Sequence, residues 1–535
     1  MPLHMRFGLG FFAVVLLAGC GASSVPQPSG APAPLPRSAA KWENGRLAVD
    51  VPVPVVTISF PQDAVEALRA ALQPFTVNHA SGDLNQTFPP DVDEVLETGD
   101  PVVLLPAFGE TITLPVLPTA HYQVTAASPA LTQAFARALD AARIDEQTFD
   151  ANTIEDFLAN ALPAHGIALN PNAPGIVLLH LEALGVGTHG WKIQGQTGFL
   201  APVRLFGERH PVLVIDPSAV PDSYTGGSAY DSPLAADATA EIVQFVRDAT
   251  EYRVLQGSIY PIAQAPCHAV TGILGIRHNT SLGEAILRQV EDAFDAARVK
   301  AGWDHLTGSD VFFDVKILSL PEDDPVLDAL ARGEFPAFEV LRAYLSLMFE
   351  QYHVEHPGCE AYLSVVFAGD VATVPGGGVI GIGTYDDSPG QRISMSWVHE
   401  VFRFTFDPES PLCIASCDGK DYLNWWEYLF SHETGHILGQ RHPHDITRAD
   451  PGPEESLLGA SNNSFSSIWS SMSYEQDGRM IDFGAIDQAN WRRNRAGFAL
   501  ALAAQNGREN TPEWALAMDA ASRLDWQGVW AALSR

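Results

Sequence analysis

Cations are scarce in this chain: 31 Lys and Arg stand against 64 Asp and Glu, a formal net charge of −33. Nucleic-acid binding draws on clustered cations that neutralise phosphates, so the balance argues against that role. The same excess makes a soluble, self-repelling surface, suited to exposure outside the cytoplasm. Methionine is rare, seven in all, which gives weight to any one that falls in a motif. Cysteine is rarer still, at five. Beyond the first twenty residues no apolar run reaches about eighteen, so no membrane span is expected there.

Apolar residues make up 46 % of the 535. That is the share of a folded globular chain, and the length suggests two or three domains with ample core. The most specific stretch is His432-Glu433-Thr434-Gly435-His436-Ile437-Leu438-Gly439-Gln440-Arg441-His442. On a helix, His432 and His436 lie one turn apart on one face, so both rings can reach one metal ion. Glu433 is carried beside them, near enough to act on a water at that ion. Gly439 can end the helix in a left-handed turn, which lets the chain bend back and offer His442 as a third ligand. Three imidazoles leave a fourth position for water, the pattern of a catalytic zinc rather than a structural one.

Downstream lies Ser471-Met472-Ser473-Tyr474. Together the two stretches resemble the metzincin zinc endopeptidases, in which the long histidine motif precedes a methionine turn beneath the zinc-bound imidazoles. The resemblance implies Zn(2+) held by His432, His436 and His442, with Met472 as the turn methionine. It also implies hydrolysis of peptide bonds in proteins or peptides, with Glu433 as general base. Pro443 and the M-S-Y sequence are most similar to the serralysin branch. There, and in astacins, the matching tyrosine is a mobile extra zinc ligand, which makes Tyr474 a second candidate catalytic residue. The chain departs from serralysins in lacking calcium-binding nonapeptide repeats, and Gln440 stands where an apolar residue is usual. Two acidic stretches, Glu322-Asp323-Asp324 and Tyr385-Asp386-Asp387, are the candidate Ca(2+) sites. The rival reading is a cell-surface binding or receptor lipoprotein with a non-catalytic zinc site. Glu433 argues against it, because it is no zinc ligand and has no evident structural purpose.

At the N-terminus, Arg6 and an apolar stretch lead to Leu17-Ala18-Gly19-Cys20, which resembles a bacterial lipobox. The resemblance implies a signal peptide over 1–20, a lipid anchor on Cys20 and attachment to a membrane of the cell envelope, the outer membrane if there are two. Residues 21–44 are rich in proline, alanine and serine and read as a tether. Residues 45–240 read as a separate N-terminal α/β domain whose role no motif reveals. Its His180, His189 and His210 are read as packing or surface histidines. Residues 241–535 read as the metzincin-like domain, with a mixed sheet, an active-site helix over 422–439 and closing helices. The fold class expected for the whole is therefore α/β.

In that second part the spacing predicts strands over 253–261, 311–320, 361–368, 378–384 and 392–399. It predicts helices over 281–301, 325–352 with a break near Gly333 and Pro336, 482–491, 492–505 and 513–533. Gly376 to Gly381 is the candidate edge for an extended substrate, since glycines permit close backbone approach. With Cys20 set aside, Cys267, Cys359, Cys413 and Cys417 suggest up to two disulfides in an exported chain, with three possible pairings. One pairing joins Cys413 to Cys417 and Cys267 to Cys359. A second zinc site using cysteine with His353 or His356 is the alternative use of the thiols.

Overall fold

Strand β2, Arg46–Ile58, shows how the first half of the chain folds. Its sequence alternates, and Leu47, Val49, Val51 and Val53 are buried while their neighbours are not, the two-residue period of a strand with one covered face. From Val55 onward every residue is buried, because β6 joins there as a second parallel neighbour. Between the stretch paired with β1 and the stretch paired with β6 lie Pro52 and Pro54. A proline donates nothing to a ladder, so that gap is where it is tolerated.

The computed structural model describes residues 38–77, 115–192, 205–219, 234–255, 267–277, 294–309, 311–321, 323–331, 338–369, 381–384, 392–398, 422–438, 440, 467–468, 470–471 and 482–534. The first sheet contains β1 (Ala40–Glu43), β2, β3 (Phe75–Thr76) and β4 (Val116–Ala126). After a small pair, β5 (Thr148–Asp150) with β7 (Gly190–Lys192), it adds β6 (Gly175–Leu179), β8 (Leu205–Gly207) and β9 (Val212–Ile215). The order is β8-β9-β6-β2-β4-β3, with β1 antiparallel on β2 and the distant Ser467–Ile468 parallel on β8. Helices α1 (Gln62–Ala71), α2 (Pro129–Ala141) and α3 (Ala151–Ala164) accompany it. Ser128 caps α2 by accepting the Leu131 N–H at 3.2 Å, with Pro129 at the first turn, and Asp150 caps α3 through the Thr153 N–H at 3.1 Å. Leu131, Phe135, Ile154 and Leu158 form one core with Val56, Val177 and Val214 of the sheet.

Within that core region Glu155 on α3 is buried and accepts the His210 N–H at 2.8 Å. Burial pushes its carboxyl up to about 8, against the pull of that N–H and of Arg209. The folded state therefore holds a proton that the unfolded chain releases near 4.5. This contribution is complete below the unfolded value and is lost as pH rises through about 8. Glu155→Gln keeps the acceptor and removes the ionisation. Thermal melts of the variant should lose less Tm than wild type between roughly pH 5 and pH 8. Parallel pH profiles would show that burying Glu155 costs nothing.

The second half begins with α4, Thr239–Ala249, which runs on into a π-turn over Thr250–Val254. A strand was expected from residue 253. Arg253, Val254 and Leu255 are instead buried in and after that turn, and the Arg253 charge is met by Glu208 and Asp487. The second sheet follows: β10 (Cys267–Arg277), β11 (Val311–Leu320), β12 (Cys359–Gly369), β13 (Gly381–Thr384) and β14 (Arg392–Val398). Its order is β11-β10-β12-β14-β13. Four strands are parallel, and β13 is antiparallel to β14 at the edge. Cys267 and Cys359 open β10 and β12, face each other in register and are joined by a disulfide.

Between these strands run α5 (Ala296–Thr307), α6 (Pro325–Ala331) and α7 (Phe338–Tyr352). Of the helix predicted over 281–301, residues 281–293 lie outside the described residues; α5 is capped by Asp295, which accepts the Ala297 and Arg298 N–H groups, and runs past the predicted end to Gly308 at φ +64°. Then come α8 (Tyr422–Ile437), β15 (Ser467–Ile468) and α9 (Ala485–Gln505). One helix, α9, stands where two were predicted. Last are α10 (Pro512–Ser522) and α11 (Trp526–Leu533). They replace a single predicted helix, because Leu524 adopts φ +57° and Asp525 caps α11 by accepting the Gly528 N–H at 2.9 Å. Val270, Leu274, Trp303, Tyr428, Phe430 and Trp491 form the core between this sheet and α5, α8 and α9. Leu327, Leu345, Met348 and Phe349 of α6 and α7 pack with Ile273 and Val365 in another core. The protein is an α/β protein with a mixed second sheet, and among the described residues no helix is long and apolar enough to cross a membrane.

Candidate active site

The sequence Tyr422-Leu-Asn-Trp-Trp-Glu-Tyr-Leu-Phe-Ser-His-Glu-Thr-Gly-His-Ile folds as α8 and lies against β12, β13 and β14. Tyr428 and Phe430 seat it in the core. Buried Glu427 anchors it further, accepting the Asp295 N–H at 3.0 Å and bonding Arg298 at 3.2 Å at the start of α5. Burial raises the Glu427 carboxyl above the usual carboxylate range, against both of those bonds. The far end of α8 is closed from two sides. The Gln440 N–H returns to the Gly435 carbonyl at 2.8 Å, a six-residue closure of the kind that finishes helices. Trp491 on α9 donates its indole N–H to the Leu438 carbonyl at 2.9 Å, satisfying one of the acceptors that a helix end leaves open.

His432 and Glu433 are 4 % and 3 % exposed on α8. His432 Nδ1 lies 2.7 Å from the Ser471 carbonyl oxygen and 3.2 Å from the Tyr428 hydroxyl. A carbonyl only accepts, so Nδ1 carries the proton and the lone pair sits on Nε2. Ser471 is itself held, donating its N–H to the Asp482 carbonyl at 2.8 Å. The residue before Met472 is thus bonded to the first histidine of the motif. Burial raises the Tyr428 hydroxyl above the usual phenol range, and the Glu433 charge adds to it. Tyr428 precedes His432 by one helical turn, a spacing open to inspection in the sequence. Trp491 and the Ser471 carbonyl carry no such mark.

His432 is held as a metal-ligating imidazole would be. A ligating imidazole characteristically donates its other ring N–H to a carbonyl or carboxylate, which fixes both tautomer and ring direction, and His432 does this. Of the motif, the described side chains are His432, Glu433 and Thr434, with Gln440 beyond. The His436 side chain, His442, Met472, Tyr474, Cys20, Cys413, Cys417 and the 385–387 acidic stretch lie outside the described residues. Among those that are described, no group of three His, Cys, Asp or Glu is placed to hold a metal.

Several of the other singled-out residues have visible roles. Asp324 accepts the Val326 and Leu327 N–H groups at 2.9 and 3.1 Å, opening α6. His353 stacks on Phe349 and His356 on Phe312, while the sulfurs of Cys267 and Cys359 bond each other. His189 is buried 2.8 Å from Asp216, and His210 lies 2.9 Å from Asp156. No protein-family model matches the chain, and no curated protein matches it in sequence.

Proposed function

We propose that the protein is a zinc-dependent endopeptidase of the metzincin kind, cutting protein or peptide substrates. The observation that carries this reading is the bond from His432 Nδ1–H to the Ser471 carbonyl. It joins the two stretches on which the resemblance rests and leaves Nε2 as the metal-facing nitrogen. Zinc held by His432, His436 and His442 would supply an acidified water, with a pKa of about 7, and polarisation of the scissile carbonyl.

The rest of the chemistry belongs to the chain. Glu433 takes a proton from the attacking water onto its carboxylate and delivers it to the leaving amine nitrogen. The Tyr474 hydroxyl donates to the developing oxyanion. An extended peptide adds to the edge strand β13, whose described neighbour is β14 on one side only. Helix α8, which carries His432 and Glu433, lies against β13, so this edge is the one proposed to take the substrate. Purified protein should contain about one zinc per chain, and His442→Ala should lose most of it after mild dialysis. Full zinc retention by that variant would remove His442 from the ligand set.

A further inference from the structure

The carboxyl ends of β2 and β6 frame a cleft that the peptidase reading does not use. Chain order sets its place. From β2 the chain builds β4 on one side and then crosses back to build β6 on the other. In open α/β sheets, ligands bind outside the carboxyl ends of the strands where the winding reverses in this way. The last paired residues of β2 and β6 are Ile58 and Leu179, so Ser59 and His180 come next. The His180 N–H donates to the Ile58 carbonyl at 3.1 Å, which keeps them side by side.

Both residues are unusual. Ser59 has φ +67°, a left-handed conformation that a side chain disfavours, at a sharp turn from β2 into α1. Its Oγ is buried and has no hydrogen-bond partner among the described residues. The same holds for both ring nitrogens of His180, which is 5 % exposed. Buried polar atoms are nearly always paired, and here three on two adjacent strand ends are not.

Beside them opens a cavity of about 930 Å³, lined by Ser59, Phe60, Pro61, Pro129, Gln133 and Ala136 among others. Among the described residues, no Asp, Glu, Lys or Arg lines it. Pro61 is the N-cap of α1 and offers no side-chain acceptor to the first turn, so those N–H groups suit an outside anion. Phe60 lines the cavity and packs edge-on against His180, with ring centroids 5.4 Å apart.

We propose that this cleft binds a carboxylate carried on an apolar body. The Ser59 hydroxyl and the α1 N-terminus take the carboxylate, and the Phe60 ring turns aside to admit it to His180. The apolar part lies along Pro129 and Ala136. The described lining offers a hydroxyl and backbone N–H groups with no Arg or Lys among the described residues, which suits this singly charged group better than a phosphate. Two sources carry the chemistry: a free aliphatic or aromatic acid, or the C-terminal carboxylate of a peptide with an apolar last residue.

Calorimetric titration of the full chain tests it, in a Glu433→Gln background that leaves this cleft untouched and keeps peptides intact. The probes are 3-phenylpropanoate, a short peptide ending in Phe with a free carboxylate, and the same peptide as its amide. Saturable binding of either acid, with the amide at least about tenfold weaker, is expected. Preference for the free acid identifies a small metabolite as the source, and preference for the peptide acid identifies a chain terminus. Ser59→Ala and Ala136→Leu should each weaken binding about tenfold or more. Should Ser59→Ala fail to fold, Ala136→Leu carries the test, since leucine is a good helix former in α2. No acid binding at millimolar concentration, equal binding of the amide, or binding unaffected by filling the cavity would each overturn the proposal.

Discussion

On the proposed mechanism, Glu433→Gln should lower peptide hydrolysis by about 100- to 10,000-fold, the usual cost of losing a positioned general base, with zinc content and folding expected to stay as in wild type. Glutamine keeps the size and the hydrogen-bonding capacity of a side chain that is 3 % exposed on α8. It removes the basic oxygen and the charge that adds to the raised Tyr428 hydroxyl. Rates on casein and on a quenched peptide are compared at equal zinc occupancy, so a metal defect is not mistaken for a chemical one. Tyr474→Phe removes only a hydroxyl, and its smaller loss should fall mostly on kcat with little change in KM. Equal cleavage by wild type and Glu433→Gln would end the proposed mechanism. A wild type with full zinc that cuts nothing in a broad peptide library would return the rival reading, a surface binding protein.

The elements that the sequence declares are those with one covered face or a short apolar run. Strand β11 occupies Val311–Leu320, the predicted bounds, because an isolated apolar run between turn residues admits few alternatives. Helix α8 was visible because residues with metal-site spacing demand one face. Arg253 misled for the same kind of reason. The stretch Arg-Val-Leu before Gly257 looks strand-like, and nothing local announces that its charge is neutralised by Glu208 and Asp487, which lie far from it in sequence. The site divides in a similar way. His432 and Glu433 are legible as side chains at fixed spacing. The group that orients His432 is a backbone carbonyl, which every residue possesses and no pattern marks. Trp491 closes α8 from a different helix, a contact set by packing alone.

Arg253→Met should destabilise the fold by about 3–5 kcal/mol, the cost of leaving buried carboxylates without their counter-charge. The Arg253 guanidinium is fully enclosed, bonding both Glu208 oxygens, with Nε to Oε1 at 2.8 Å, and Asp487 at 3.0 Å. Burial by itself lowers its pKa, but the two carboxylates outweigh this and raise it, so the group stays charged. These partners come from distant parts of the chain. Glu208 leaves β8 at φ +79°, and its carbonyl accepts the Ala485 N–H at 2.6 Å. Asp487 reaches back to the Gly484 N–H at the start of α9. The cluster therefore fixes the first turn of the helix whose Trp491 holds the end of α8, and its loss should loosen the candidate site as well as the fold. Denaturant unfolding followed by tryptophan fluorescence measures the first effect. Sensitivity of the native protein to a trace protease measures local opening. Methionine fills much of the arginine volume, so a cavity is not the cause. The triple variant Arg253→Met, Glu208→Gln, Asp487→Asn removes the stranded charges and should recover a large part of the stability. If the single variant unfolds with wild type, or the triple variant is no better than the single, charge compensation is not what holds these three residues together.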